Sequence, residues 1–217
     1  MKELEQADPG SFLLPRYCGT IVDEAHTMEN SAAEYLGLRL SSIAVYSTLN
    51  RLFNPKTGRG ILVRPGDAAL KLRTMVTDLG IMAAAYFDFW RDYIERTDED
   101  IRSITAPDIA PEGLRDAFIK FCYELAEYNE ELEEKMIKAE ITGYHQRCSS
   151  FADILENFQS MLLQPHVYWA ELDNKNIVLR SAPLNVNEML YELLFSKEFP
   201  TILTSATLSV NRNLNYY

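Results

Sequence analysis
The chain has 217 residues, of which 47% are apolar, with 12 Tyr, 10 Phe and 2 Trp, so wholesale disorder is excluded and the length allows one large domain or two small ones. The 21 Lys+Arg against 32 Asp+Glu give a net charge of −11, which excludes coating of nucleic acid by bulk charge and leaves room only for a local basic groove. No uncharged apolar run reaches the roughly 18 residues of a membrane span, and the acidic start at Met1-Lys2-Glu3-Leu4-Glu5 is not a secretory signal, so the expected compartment is the cytoplasm.

In chain order, Ile21-Val22 follows a Pro/Gly-marked entry and reads as the end of a short buried strand. Acidic residues stand directly after it, at the strand edge where open α/β sheets handle ligands. Residues 50–66 carry the turn residues of a loop. From Asp67, the spacing of Leu72, Met75, Val76, Leu79, Met82, Tyr86, Phe89, Trp90 and Tyr93 predicts a helix of about 30 residues. The aromatic members of that stripe read as bundle core.

A polar link around Thr97–Pro111 follows. A second helix carries Leu114, Phe118, Phe121, Leu125, Tyr128, Leu132 and Met136, and a third carries Phe151, Ile154, Leu155, Phe158, Met161 and Leu162. Three such helices predict an antiparallel bundle, with Glu130–Lys135 as a solvated face. Val167–Leu172 and Ile177–Ala182, with Asp173–Asn176 between them, predict a β-hairpin. Asn187 opens a short helix and Thr201–Thr204 is a last buried strand. The order is therefore an α/β sheet entered, left for a large all-helical insertion, and re-entered. The expected domains are residues 1–45, 46–165 and 166–217.

Asp23-Glu24-Ala25-His26 is the strongest chemical signal. A strand ending in paired acids suits nucleotide hydrolysis: one carboxylate holds Mg²⁺ on the phosphates and its neighbour orients water. At average amino-acid frequencies the tetrapeptide falls in roughly one chain per thousand of this size, which favours function over chance. The bland reading is a helix N-terminus, where acids are also favoured. Ser205-Ala206-Thr207 after the last strand is a weaker signal, since two hydroxyls there can bond an acid or histidine or make an ordinary turn. Cys18, Cys122 and Cys148 have no metal-site spacing, so an iron–sulfur cluster within this chain is not supported. Arg59, Arg64, Lys71 and Arg73 form a modest basic cluster that could meet nucleic acid or be surface charge.

Together, Asp23-Glu24-Ala25-His26 and Ser205-Ala206-Thr207-Leu208 resemble superfamily 2 helicases of the DinG/XPD group, in its bacterial DinG-like branch. Phe12-Leu13-Leu14-Pro15 and Ala182-Pro183-Leu184 agree with that wording. The resemblance implies part of a RecA-like parallel sheet carrying an arch-like helical bundle. It implies Asp23 as the ligand of Mg²⁺ brought with ATP, aided by Glu24. Glu24 would be the acid positioning water, and His26 would relay nucleotide state to Ser205, Ala206 and Thr207. It implies single-stranded or forked DNA as partner and five-prime to three-prime movement. The chain contains no Gly-Lys-Ser/Thr phosphate loop. The expectation is therefore a helicase fragment, from the acid motif through the arch to the Ser-Ala-Thr motif, inactive without the missing motor-domain segments. The alternative is a non-enzymatic helical module that binds nucleic acid or protein. A DEAH-box RNA helicase is disfavoured, because those place the two motifs close together in sequence.

Overall fold
The computed structural model describes residues 18–97, 99–163, 165–196 and 199–205. They fall into two compact units: residues 34–184 form one, and the flanking segments up to Ala33 and from Asn185 form the other. The architecture is α/β with a large helical insertion. Among the described residues no helix is long and apolar enough to cross a membrane.

The flanking unit contains two three-residue strands, β1 (Thr20–Val22) and, at the far end of the chain, Thr201–Leu203. They pair in parallel, with Ile21 opposite Ile202 and Val22 opposite Leu203. A single 3-10 turn, Ala25–Thr27, leads from β1 into α1 (Met28–Leu36). The boundary between the units falls inside α1.

In the 34–184 unit, β2 (Arg39–Ser41) runs into α2 (Ser42–Leu52), whose first turn is capped by Ser41. The long helix α3 (Asp67–Glu95) is followed by β3 (Ile101–Ile104), α4 (Leu114–Glu131) and α5 (Lys135–Ser160). Then come β4 (His166–Asp173) and β5 (Asn176–Pro183). The return segment of the flanking unit adds α6 (Val186–Leu190), continued by a wide π-type turn at Tyr191–Phe195, before β6, the Thr201–Leu203 strand.

The helical spacing of the sequence becomes one core. Leu72, Val76, Leu79, Ala83, Phe87 and Trp90 of α3 meet Phe118, Phe121 and Leu125 of α4 and Ile141, Cys148 and Leu155 of α5. Burying each large apolar side chain contributes about 1.5–3 kcal/mol relative to leaving it in water. Cross-helix bonds fix the directions. Asn129 Nδ2 donates to Thr142 Oγ1 at 3.0 Å and Lys138 Nζ to the Glu130 carbonyl at 3.3 Å, so α5 runs back along α4. Of the aromatic stripe, Tyr86 and Trp90 are buried, while Phe89 and Tyr93 pack on the core half-buried.

The four-stranded sheet has the order β2-β5-β4-β3, antiparallel throughout. Leu40, Leu179 and Ala170 form one buried cross-strand row against the helices. The hairpin turns through Asn174, whose φ of 58° is the left-handed geometry that asparagine tolerates.

Several sequence expectations are corrected. α5 begins at Lys135, not near Phe151, because Ile141, Tyr144 and Cys148 continue its buried face through a mostly polar stretch. The Glu130–Lys135 stretch is solvent-exposed but does not lie on one helix: α4 ends at Glu131, Leu132 turns extended (ψ 136°), and α5 starts at Lys135. Four glutamates in six residues repel one another along a helix. Residues 50–52 belong to α2, and the polar link contains β3. The hairpin expected in a third domain pairs with β2 and β3, so it lies in the 34–184 unit with the helices. Only α6 onward lies with β1, so the unit boundaries differ from the expected divisions at 45 and 165.

Candidate functional site
The parallel register builds the site. Because Val22 lies opposite Leu203, the next residues, Asp23 and Thr204, emerge side by side. Thr204 N–H donates to the Val22 carbonyl at 2.8 Å and Ala25 N–H to the Thr204 carbonyl at 3.0 Å, so the ladder extends past both strands. Thr204 Oγ1 donates to Asp23 Oδ1 at 2.5 Å, and Glu24 N–H donates to the same oxygen at 3.0 Å. These bonds, the threonine hydroxyl first, hold the Asp23 carboxyl below the usual aspartate range.

Glu24 occupies the left-handed region, with φ 52° and ψ 43°. For a non-glycine residue that conformation costs on the order of 1 kcal/mol or more. It reverses the chain tightly, and the Glu24 carbonyl accepts from Thr27 N–H at 2.9 Å and Thr27 Oγ1 at 3.0 Å. His26 is thereby folded back over Glu24.

A three-membered polar ring results. His26 Nδ1 lies 2.8 Å from Ser205 Oγ and 3.1 Å from Glu24 Oε2, and Ser205 Oγ lies 3.4 Å from Glu24 Oε2. A carboxylate can only accept, so the Nδ1–H form satisfies all three groups. The ring N–H is then the donor, and the serine hydroxyl accepts from it while donating to Glu24. The ring joins residues 179 and 181 positions apart in sequence. Glu24 and His26 remain open to solvent, with side chains 59% and 39% exposed.

The structure thus brings together Asp23, Glu24, His26 and Ser205 from the sequence expectation. Ala206 and Thr207, like Phe12–Pro15, lie outside the described residues. Thr204 is the residue that the sequence reading missed as a site member. Its signal is positional: it follows the last strand by the same offset at which Asp23 follows the first.

Among the described residues no three His, Cys, Asp or Glu side chains cluster to hold a metal by themselves. One carboxylate kept ionised suits Mg²⁺, which retains waters and takes most of its other ligands from phosphate. Asp23 is the carboxylate of this site that could hold such a cation, with the remaining ligands supplied by other groups.

Three of the four basic candidates are engaged locally. Arg64 pairs with Glu134, and Lys71 Nζ lies 2.5 Å from Glu124 Oε2. Arg73 Nε donates to the Ala69 carbonyl at 3.3 Å, with its guanidinium 5.9 Å from the Phe53 ring centroid. Arg59 is exposed on the loop after α2.

No protein-family model matches the chain. It is 22% identical over 241 residues to the 3'-5' exonuclease DinG of Bacillus subtilis, covering 94% of this chain and 26% of that protein. It is 26% identical over 215 residues to the ATP-dependent DNA helicase YoaA of Escherichia coli, covering 94% of this chain and 30% of that protein. The chain therefore spans less than a third of the length of either relative. Among solved structures, Xpd4 of S. tokodaii matches 87% of this chain and 33% of its own, with 13% identity and a TM-score of 0.42.

Proposed function
We propose, from the similarity to DinG and YoaA, that this chain belongs with the DinG/XPD-type superfamily 2 helicases and forms the acid-motif, helical-insertion and serine-motif portion of an ATP-dependent DNA helicase. The observation that carries this reading is the parallel pairing that sets Asp23 and Glu24 beside Thr204 and Ser205 across some 180 residues of sequence. Asp23, kept ionised, would meet Mg²⁺ on the nucleotide phosphates. The cation would shield phosphate charge during hydrolysis. Glu24 is the exposed carboxylate that can orient water. His26 and Ser205 change their bonding whenever Glu24 turns toward a reacting water, because they share its Oε2. That sharing is a physical route from nucleotide state to the neighbouring strand. Single-stranded or forked DNA is the proposed track, with five-prime to three-prime movement. The Gly-Lys-Ser/Thr loop and second motor domain would come from other segments of the parent protein.

The test is ATP hydrolysis and strand separation by the protein encoded by the whole reading frame. Glu24→Gln is expected to lower kcat by at least 100-fold with little change in the KM for ATP. An unaffected kcat would overturn the hydrolytic assignment and favour the alternative, a non-enzymatic binding module built on the 34–184 unit. The 217-residue chain by itself is expected to show no turnover above background. Robust Glu24-dependent turnover by it would show the phosphate site to be complete without further segments.

A further inference from the structure
A second polar site lies wholly within the 34–184 unit. An open cleft of about 510 Å³ is bounded by the end of α2, the loop after it and one face of α5. Asn50, Arg51, Thr57, Arg59, Glu140 and Tyr144 line it. Its frame is built, not loose. Asn54 Oδ1 accepts from the backbone N–H groups of Lys56 and Thr57 at 3.0 and 3.2 Å, and Asn54 N–H donates to the Arg59 carbonyl at 2.7 Å. Ile61 N–H and Leu62 N–H close the loop onto the carbonyls of Arg51 and Leu52 at 3.0 and 3.1 Å. Gly60, at φ 148°, is required there, since a Cβ would lie 2.4 Å from the Leu52 carbonyl oxygen.

The charges in the cleft differ from those beside it. Among the described residues neither Arg51 nor Arg59 has a carboxylate within ion-pair distance, whereas Arg64 and Lys71 are each paired with a glutamate. The one acid lining the cleft, Glu140, accepts from Tyr144 Oη at 3.4 Å. Two guanidiniums against one carboxylate make a cationic spot on a chain whose net charge is −11. Amide and hydroxyl groups of Asn50 and Thr57 add neutral donors. Small-molecule sites are enclosed and mostly apolar. An open trough, half apolar and half polar, in which two arginines have no carboxylate partner suits a phosphodiester chain passing along it.

We propose that this cleft binds the phosphate backbone of single-stranded nucleic acid, with Arg51 and Arg59 as the phosphate-contacting pair. The proposal rests on the DNA reading above and names a site for it that the basic residues singled out in sequence would not: Arg59 alone of those four lines the cleft, and Arg51 joins it.

The experiment is fluorescence anisotropy of a labelled thymidine 20-mer with the full 217-residue chain at low salt. Arg51→Glu with Arg59→Glu is expected to weaken binding at least tenfold. It should also flatten the salt dependence by roughly 1.4 log units per log unit, about 0.7 for each single-strand phosphate no longer neutralised. Lys175→Glu, at the exposed hairpin turn of the same unit, is expected to change affinity less than twofold. Arg51→Gln with Arg59→Gln, a gentler pair checked for folding by circular dichroism, should lose affinity in the same direction. Equal binding by both double variants, or an equal loss in Lys175→Glu, overturns the proposal. So does displacement of the 20-mer by millimolar mononucleotide or inorganic phosphate, which would mark a free-phosphate site. Failure of the cleft leaves the effect of Glu24→Gln on hydrolysis standing, whereas failure of the helicase reading appears in that assay and not in this one.

Discussion
The two compact units solve different problems with different materials. In the 34–184 unit, one continuous core from Leu40 to Leu179 holds three helices of 18 to 29 residues against an antiparallel sheet. In the flanking unit, two strands of three residues carry exposed Ile21 (71%) and Ile202 (53%), and the candidate chemistry hangs from their ends by a few hydrogen bonds. Parallel strands are ordinarily covered on both faces. The contrast teaches that burial and chemistry are divided here. The unit with the core can fix a surface such as the Arg51/Arg59 cleft. Among the described residues, the unit with the acids positions them through backbone register and polar bonds.

The sharpest way to break that contrast is to cut the core. Phe118 is fully buried and packs edge-on with Phe151, at 5.8 Å between centroids. Phe118→Ala should cost about 3–5 kcal/mol in chemical denaturation followed by helical circular dichroism. A cost below 1 kcal/mol would mean that the helical unit does not depend on this core.

Next in size is a polar pin. Asn176 Oδ1 accepts from Ser41 Oγ and Ser42 Oγ, both at 3.0 Å, and from Ile43 N–H at 3.2 Å, tying the hairpin turn to the start of α2. Asn176→Ala should cost about 1–3 kcal/mol, because three donors lose a buried acceptor together. A neutral result in the same denaturation experiment would show that water replaces the amide.

Thiol chemistry reads the same contrast without mutation. Burial pushes the Cys122 thiol up to about 11, and it raises that of Cys148 further. At pH 8 a thiol reagent should therefore modify exposed Cys18 quickly and the other two only on unfolding. Three fast equivalents would place the helical unit in frequent opening.

In the flanking unit the expected effects are electrostatic and smaller. Thr204→Val removes the leading cause of the low Asp23 pKa, so that value should rise toward the ordinary aspartate range in an NMR titration. The sign for stability follows. A carboxyl whose folded pKa is depressed favours the folded state above its unfolded value, and that contribution is lost as pH falls through the folded pKa. The variant should therefore show less pH dependence of unfolding between those two values. An unchanged Asp23 titration would remove Thr204 from the site. Last, Ile21→Ala should change the denaturation midpoint by less than about 0.5 kcal/mol, in keeping with an exposed side chain. A cost like that of Phe118→Ala would place Ile21 in a hidden interface.

Much of this was legible in the sequence. The three- and four-residue spacing marked α3 and α4, since a helix that buries one face must repeat its apolar residues at that period. Alternation with an Asp-Asn-Lys-Asn turn marked the β4–β5 hairpin. Asp23, Glu24, His26 and Ser205 stood out because paired acids and hydroxyls after short apolar strands carry recognisable chemistry. β2 and β3 were illegible: three or four residues that include Arg39 and Arg102 have no pattern of their own and become strands only when the hairpin offers its edges. The first half of α5 was hidden by polar residues whose buried face needs α4 to define it. Local periodicity and residue chemistry thus determined α3, α4, the hairpin and the identity of the acids. Tertiary pairing alone decided that Thr204 would bond Asp23, that the hairpin would join the helices, and that α5 would bring Glu140 and Tyr144 to the loop of Arg51 and Arg59. Each of these depends on which distant backbone supplies the neighbouring strand or loop, and no local pattern encodes that.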